Sequence, residues 1–196
     1  MILLAALVLG LLAGWGLARW QRRPYQAPDL KHLWLIPAAF APQLLVAYLP
    51  SAHELVPAAA AAWILPLSLA IFLVFVWLNR RVAGMPVLMI GLAMNLAVIA
   101  ANGGWMPISP ETASHLPGGS APEAAMPGTR VSDKDILLQP EDTRLGFLSD
   151  RFLLPEWMGY PVAFSLGDTL VAAGAFWLLA GAPRATISNR STNVDI

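Results

Sequence analysis

Five stretches of almost uninterrupted apolar residues divide this chain, and each is close to the length that crosses a bilayer. They cover residues 2–19, about 33–50, about 58–78, about 85–101 and about 160–181. A helix needs about 20 apolar residues to cross the hydrocarbon layer. Charged residues make up 12% of the chain, roughly half their share in soluble domains. We therefore predict an all-α integral membrane protein with five transmembrane helices.

The basic residues indicate how these helices are oriented. No Lys or Arg precedes the first run, whereas a secretory signal has a basic start, so we expect an uncleaved first helix. With the N-terminus outside, eight of the 12 basic residues lie on the inner side: Arg19, Arg22, Arg23, Lys31, Arg80, Arg81, Arg184 and Arg190. Basic residues of short loops stay in the cytoplasm. We expect an outer N-terminus and a cytoplasmic C-terminus.

The composition changes sharply after the fourth run. Residues 103–159 are rich in Pro, Gly and acidic residues, which is typical of an irregular extramembrane loop. We therefore divide the chain into a four-helix region (1–102), one long extracytoplasmic loop (103–159), a fifth helix (160–182) and a flexible cytoplasmic tail (183–196).

Composition also excludes several kinds of site. The chain has no cysteine, so it has no disulfide, iron–sulfur cluster or Cys-based zinc site. Its three histidines, His32, His53 and His115, are far apart and do not form a metal-ligand pattern. The formal net charge is zero, which gives no reason to expect nucleic acid as a partner. We expect neither a metal nor a cofactor.

Asp168 places a carboxylate inside the last apolar run. Charges are expensive in lipid, so such an acid is a candidate functional residue. In the fourth run, Asn95 and Asn102 are two helical turns apart and share a face. Counted from the outer ends of their runs, Asn95 and Asp168 both lie about 10–12 Å deep. If the two helices are neighbours, the Asn95 amide can donate to Asp168, and Ser165 and Thr169 cap this polar pair.

This polar pair has two interpretations. Interhelical polar contacts are a common way to join membrane helices. Alternatively, a buried Asp has a raised pKa, which suits a proton-handling acid at an outward-facing site.

Two glycine patterns predict close helix packing. Gly167, Gly174 and Gly181 recur every seven residues, and Gly10 and Gly14 form a small-xxx-small pair. If the protein is a subunit of a larger assembly, we expect the second pattern to be left free for the partner.

Asp150 lies 18 positions before Asp168, at the end of a polar segment. Loop acids are usually solvated, but Pro155 and Pro161 lie between the two and allow the chain to fold back. Two carboxylates that share a proton can activate water. The spacing therefore leaves open a dyad of Asp150 and Asp168.

Four short segments resemble the DUF5317 family, which consists of small bacterial membrane proteins without an assigned activity. They are residues 102–107 (NGGWMP), 143–145 (TRL), 148–151 (LSDR) and 164–168 (FSLGD). This resemblance implies a bacterial inner-membrane location, with Thr143, Arg144 and Arg151 as polar residues of the loop motif. It implies no chemistry.

A second resemblance is local. Residues 146–151 (GFLSDR) and 164–169 (FSLGDT) are similar to the Gly-Asn-x-x-Asp-Arg and Phe-Asn-x-Ala-Asp-Ser motifs of lipoprotein signal peptidase. In that family the two motif aspartates form the catalytic pair, so the resemblance implies this role for Asp150 and Asp168. Phe147 and Ser165 replace both motif asparagines here.

These patterns leave two functions open. The first is a non-enzymatic accessory subunit or binding module, whose outer loop and Asp168 region engage lipid, a larger membrane complex or a second copy. The alternative is an intramembrane aspartyl hydrolase, which needs Asp150 and Asp168 to converge on one water. A proton or solute carrier has less support, because no inverted repeat is visible.

Overall fold

A computed structural model describes residues 2–48, 57–116, 126–132, 134–155, 159 and 161–181. The predicted tail (183–196) and part of the predicted loop (117–125) lie outside the described residues, as does Tyr160, the expected outer end of the fifth helix. In chain order the elements are α1 (Ile2–Trp20), α2 (Leu35–Tyr48), α3 (Ala58–Leu78), α4 (Met85–Ala101), β1 (Met106–Ile108), α5 (Pro110–Ser114), β2 (Asp135–Leu137), a 3₁₀ turn (Gly146–Leu148), β3 (Phe152–Leu153), β4 (Ala163–Phe164) and α6 (Leu166–Ala180).

The described part of the chain is mostly helical but not all α, so the predicted fold class needs correction. Strands β1 and β2 pair in parallel, with Met106 opposite Asp135, and β3 and β4 pair antiparallel, with Phe152 opposite Phe164. All four strands lie beyond α4, where the Pro- and Gly-rich composition prevents a continuous helix. Backbone N–H and C=O groups need partners when buried, and the short strands supply them.

Hydropathy predicted the first four apolar helices to within two residues at each end. The fifth differs: α6 begins at Leu166, not at 160, because Ala163 and Phe164 form β4 and Ser165 caps the helix. Gly104 also shapes the boundary after α4. Its φ is +92°, and a Cβ there would overlap the Ala62 carbonyl, so a glycine is needed where the chain crosses α3.

Helix α6 packs between α1 and α4. A Cβ at Gly10 would lie 2.7 Å from the Phe176 carbonyl oxygen, and one at Gly14 would overlap that of Leu179. The Gly10/Gly14 surface is therefore filled by α6, so it is not the free face that we expected of a subunit. The small-xxx-small pattern of α1 shows that some helix approaches closely. It does not show that this helix is α6, because α6 is distant in the chain.

The glycines that recur every seven residues on α6 make the contact with α4. A Cβ at Gly174 would lie 2.5 Å from the Leu88 backbone nitrogen, and one at Gly167 would overlap the Asn95 side chain. The predicted packing of a neighbouring helix on this stripe is confirmed at Gly167 and Gly174. The two helices run antiparallel, so the outer end of α4 lies beside the start of α6.

The remaining helices extend this arrangement, with α3 packed on α4 and α2 packed on α3. The linker between α1 and α2 crosses one end of the helices. There Asn79 donates to and accepts from the backbone of Lys31, at 3.0 and 2.8 Å, and Tyr25 donates to the Leu179 carbonyl at 3.1 Å. The short basic loops therefore share one end, and the long loop after α4 covers the other.

Two helices, Ile2–Trp20 and the Ala60–Leu78 part of α3, are long and apolar enough to cross a membrane. Helices α2, α4 and α6 are apolar but shorter, with 14, 17 and 15 residues. Large apolar side chains of α1, such as Leu4, Leu12 and Trp15, are exposed. These features are typical of helices that face lipid.

Candidate functional site

Asp168 lies in the first turn of α6, where it completes a capping box. The Ser165 hydroxyl accepts from the Asp168 backbone N–H at 3.0 Å, and Asp168 Oδ2 accepts from the Ser165 N–H at 3.2 Å. Thr169 donates its hydroxyl to the Ser165 carbonyl at 3.2 Å. Ser165 is therefore the N-cap of α6, whereas Thr169 bonds within the helix and does not cap it. The expected depth of Asp168, eight residues into a helix, was wrong because the helix begins only two residues before it.

Asn95 of α4 meets this cap from the neighbouring helix. Its amide donates to Asp168 Oδ1 at 2.7 Å, and its carbonyl oxygen accepts from the Ser165 hydroxyl at 3.0 Å. The absence of a side chain at Gly167 allows the approach. The predicted hydrogen bond between Asn95 and Asp168 is confirmed. Both carboxylate oxygens of Asp168 therefore have a partner within the protein.

Strand β1 brings Asp150 and Lys134 together, although they are 16 residues apart. The Asp150 N–H donates to the Pro107 carbonyl at 3.2 Å, and the Met106 N–H donates to the Lys134 carbonyl at 2.8 Å. From these positions the Lys134 ammonium donates to Asp150 Oδ2. The same ammonium lies 3.5 Å from Asp135 Oδ1.

Asp150 is 1% exposed, which contradicts the usual solvated state of a loop acid. Its second oxygen, Oδ1, is buried without a hydrogen-bond partner among the described residues. Burial raises the pKa of the Asp150 carboxyl to about 7, the charge of Lys134 opposes this rise, and the charges of Asp168 and Asp135 add to it. The carboxyl therefore titrates near neutral pH.

The positive charge of Lys134 is surrounded by the negative charges of three aspartates. Burial by itself lowers the pKa of its ammonium, but the charges of Asp150, Asp135 and Asp168 outweigh this and raise that pKa. Lys134 therefore stays protonated at neutral pH. Its side chain is 46% exposed, so water also solvates the ammonium.

The structure thus places Asp150, Asp168 and Asn95 in one polar cluster, together with Lys134 and Asp135. The charge of Asp168 contributes to raising the pKa of both Asp150 and Lys134, but no hydrogen bond joins the two aspartates, both of which the structure describes. Three of their four carboxylate oxygens already have a protein partner. Among the described residues, no group of three acidic or histidine side chains is placed to hold a metal ion.

The residues of the loop motif lie elsewhere. The Asn102 side chain ties the loop to the end of α4, donating to the Arg144 carbonyl at 2.8 Å and accepting from the Arg144 N–H at 3.0 Å. Thr143 and Arg151 line a groove of about 460 Å³. Residues of α5 and beside it also line this groove, including Glu111 and His115. The predicted site residues therefore form two separate sites.

Residues 28–180 match DUF5317, a family described as being of unknown function. The chain belongs to the DUF5317 family. Neither a curated protein nor a solved structure matches it. The matched range includes both the polar cluster and the groove of this DUF5317 protein.

Sequence reasoning missed Lys134 and Asp135 as site residues. One observation points to Lys134: it is one of two lysines in the chain and is flanked by aspartates in the long loop. Its pairing with Asp150 depends on the order of strands in the loop, which hydropathy does not reveal. Glu111 and His115 of the groove were also missed, because they lie in and directly after a five-residue helix within the Pro-rich region.

Proposed function

We propose that this DUF5317 protein is a non-enzymatic membrane binding module. In this proposal all five apolar helices cross the bacterial inner membrane. The N-terminus and the loop of residues 103–159 lie outside the cytoplasm, and the C-terminus lies inside. The polar cluster joins α4 to α6 and joins two loop segments to each other, and the groove beside it faces the partner.

The engagement of the two aspartates within the protein carries this proposal. Asp168 caps α6 and binds Asn95, while Asp150 is buried and binds Lys134. A carboxylate pair that activates water needs free oxygens facing one water-accessible point. Here three of the four oxygens are engaged within the protein: Asp168 joins α6 to α4 through Asn95, and Asp150 joins two loop segments through Lys134, which is a structural use. The fourth, Asp150 Oδ1, is buried.

The topology can be tested with single cysteines, since the chain has none of its own. Met126 and Gln26 are both exposed and lie at opposite ends of the helices. We expect a membrane-impermeant maleimide to label Met126→Cys in intact spheroplasts, and Gln26→Cys only after lysis. The reverse labelling pattern would refute the proposed orientation.

The alternative function, an aspartyl hydrolase, is favoured by one observation. The charge of Asp168 contributes to raising the pKa of Asp150 to about 7, and carboxyls that titrate near the working pH suit acid–base catalysis. A hydrolase and a binding module predict different effects of Asp168→Asn on the stability of the fold. Removal of a catalytic acid commonly leaves the fold equally stable or more stable, whereas removal of a cap weakens it.

We therefore expect Asp168→Asn to destabilise the protein by about 1 kcal/mol, because one side-chain oxygen cannot accept both hydrogen bonds. Hydrogen exchange at residues 163–169 should accelerate. The readouts are thermal unfolding in detergent and exchange measured by mass spectrometry. Asp142→Asn, a loop acid that is exposed, is the matched control and should change neither.

A lipidated signal-peptide substrate completes this comparison. The binding module predicts no cleavage above background when wild-type protein is reconstituted in liposomes. Cleavage by wild type that is lost in stable Asp150→Asn and Asp168→Asn variants would refute the proposal and establish the hydrolase.

A further inference from the structure

The groove contains an acid and a base that do not pair with each other. Glu111 and Arg151 both line it and both side chains are exposed. Within the described part of the chain, neither takes part in an ion pair. Because they do not pair with each other, both charges remain available to a ligand that carries both charges.

The rest of the lining is suited to a small polar ligand. The volume of about 460 Å³ falls in the range of small-molecule sites. Besides the two charges, the lining includes Ser109, Thr143 and Ser149. The Thr143 and Ser149 hydroxyls donate to backbone carbonyls, so their oxygens can still accept from a ligand. The His115 Nδ1 lies 2.9 Å from the Glu111 carbonyl oxygen, so in the neutral ring Nδ1 donates there and Nε2 accepts.

The position of the groove relative to the helices points to a lipid. Gly146 and Ser149 of its wall flank Leu148, which packs on Val98 and Ile99 in the last turns of α4. This wall therefore lies at the level where α4 ends. Beside it, Phe147 is 62% exposed.

Two further apolar side chains border the same wall. Leu145 and Phe152 are exposed next to groove residues, and Arg151 stacks over the Phe152 ring with 5.9 Å to its centroid. Aromatic and apolar side chains at such a level contact the interface of a bilayer. A ligand held here reaches lipid with its apolar part while its charges stay in the groove.

We propose that this groove binds the headgroup of a zwitterionic phospholipid that carries a primary ammonium. Arg151 binds the phosphate, since a guanidinium matches phosphate oxygens. Glu111 accepts from the ammonium. This inference rests on the proposed binding function and names its partner class.

Native mass spectrometry of the full chain in detergent tests the proposal. The probes are phosphatidylethanolamine, phosphatidylcholine and phosphatidylglycerol with identical acyl chains. We expect phosphatidylethanolamine to bind most tightly, because choline cannot donate a hydrogen bond and glycerol carries no charge. Arg151→Gln should weaken its binding about 10-fold or more. Glu111→Gln should abolish the preference over phosphatidylcholine.

Arg144→Gln and Glu141→Gln are the matched controls, because they remove the same charges from exposed loop positions outside the groove. They should bind all three lipids like wild type. Equal affinity for the three lipids, or equal losses in Arg151→Gln and Arg144→Gln, would overturn the proposal. So would displacement of the lipid by soluble glycerophosphoethanolamine at a similar concentration.

Failure here is distinguishable from failure of the proposed function. Lipid selectivity depends on Glu111 and Arg151, whereas the hydrolase alternative depends on Asp150 and Asp168. A protein without lipid preference that also cleaves no lipopeptide would lose only the partner class proposed here.

Discussion

Replacement of Gly174 by valine is expected to destabilise the protein by about 3 kcal/mol or more. The new Cβ would lie 2.5 Å from the backbone nitrogen of Leu88 and 2.8 Å from its Cα. Backbone atoms inside a helix cannot move aside as a flexible side chain can, so α4 and α6 must separate. Overpacking by even a few atoms costs about 1–3 kcal/mol, and here the two helices carry both ends of the polar cluster.

Gly16→Val is the matched control. Gly16 also lies within a helix, α1, but a Cβ there meets nothing within 4 Å. Unfolding in detergent, followed by tryptophan fluorescence, should show a large loss of stability for Gly174→Val and almost none for Gly16→Val. Similar losses for both variants would mean that helix propensity, not the α4–α6 contact, sets the effect.

Lys134→Ala is expected to have the second large effect, about 2–3 kcal/mol at pH 8.5. Removal of one partner of a buried ion pair leaves an uncompensated charge, which costs about 3–5 kcal/mol when the pair is fully buried. Lys134 is half-exposed, so we expect a somewhat smaller value. The loss leaves the buried Asp150 carboxylate with no cation, and the two loop segments that the pair joins should separate.

The pH dependence of this loss tests its cause. The pKa of Asp150 is about 7 in the folded protein and 3.8 ordinarily. At pH 5.5 the folded protein therefore holds the proton with or without Lys134, and the variant should lose little stability. Above pH 7 wild-type Asp150 ionises beside Lys134, so the loss should grow as the pH rises.

The wild-type stability itself should decline as the pH rises from about 4 to about 7. In that range the unfolded chain releases the Asp150 proton while the folded protein keeps it, so proton release favours unfolding. Asp150→Asn should remove this part of the pH dependence. Limited proteolysis of the loop across the pH range measures both effects, and identical wild-type and Asp150→Asn profiles would show that Asp150 does not titrate there.

The sequence predicted the helices well because hydropathy is a local property. The ends of α4, for example, follow from Gly84 before it and Asn102-Gly103 after it. The hydrogen bond between Asn95 and Asp168 was also predicted, but the prediction assumed that Asp168 lies eight residues inside its helix, which is wrong. Asp168 meets Asn95 because α4 and α6 approach closely at Gly167, and not because both lie equally far inside a membrane.

The long loop shows the opposite case. Its composition indicated an irregular extramembrane segment. The motif at 146–151 set Asp150 apart from the other acids of the loop, but it did not show that this carboxyl is buried. Its burial and its pairing with Lys134 result from the hydrogen bonds of β1 with both segments. Such pairing joins residues distant in the chain, so it depends on the packing of the whole loop.

Alone, the sequence determined the apolar helices, the N-cap of α6, the glycine stripes and the family to which the chain belongs. These features depend on residue type and spacing within a few turns of chain. Tertiary structure decided which helix fills each stripe, which cation faces Asp150, and that Glu111 and Arg151 border one groove without pairing. Those outcomes depend on contacts between distant segments, whose energies arise only when the helices and the loop pack together.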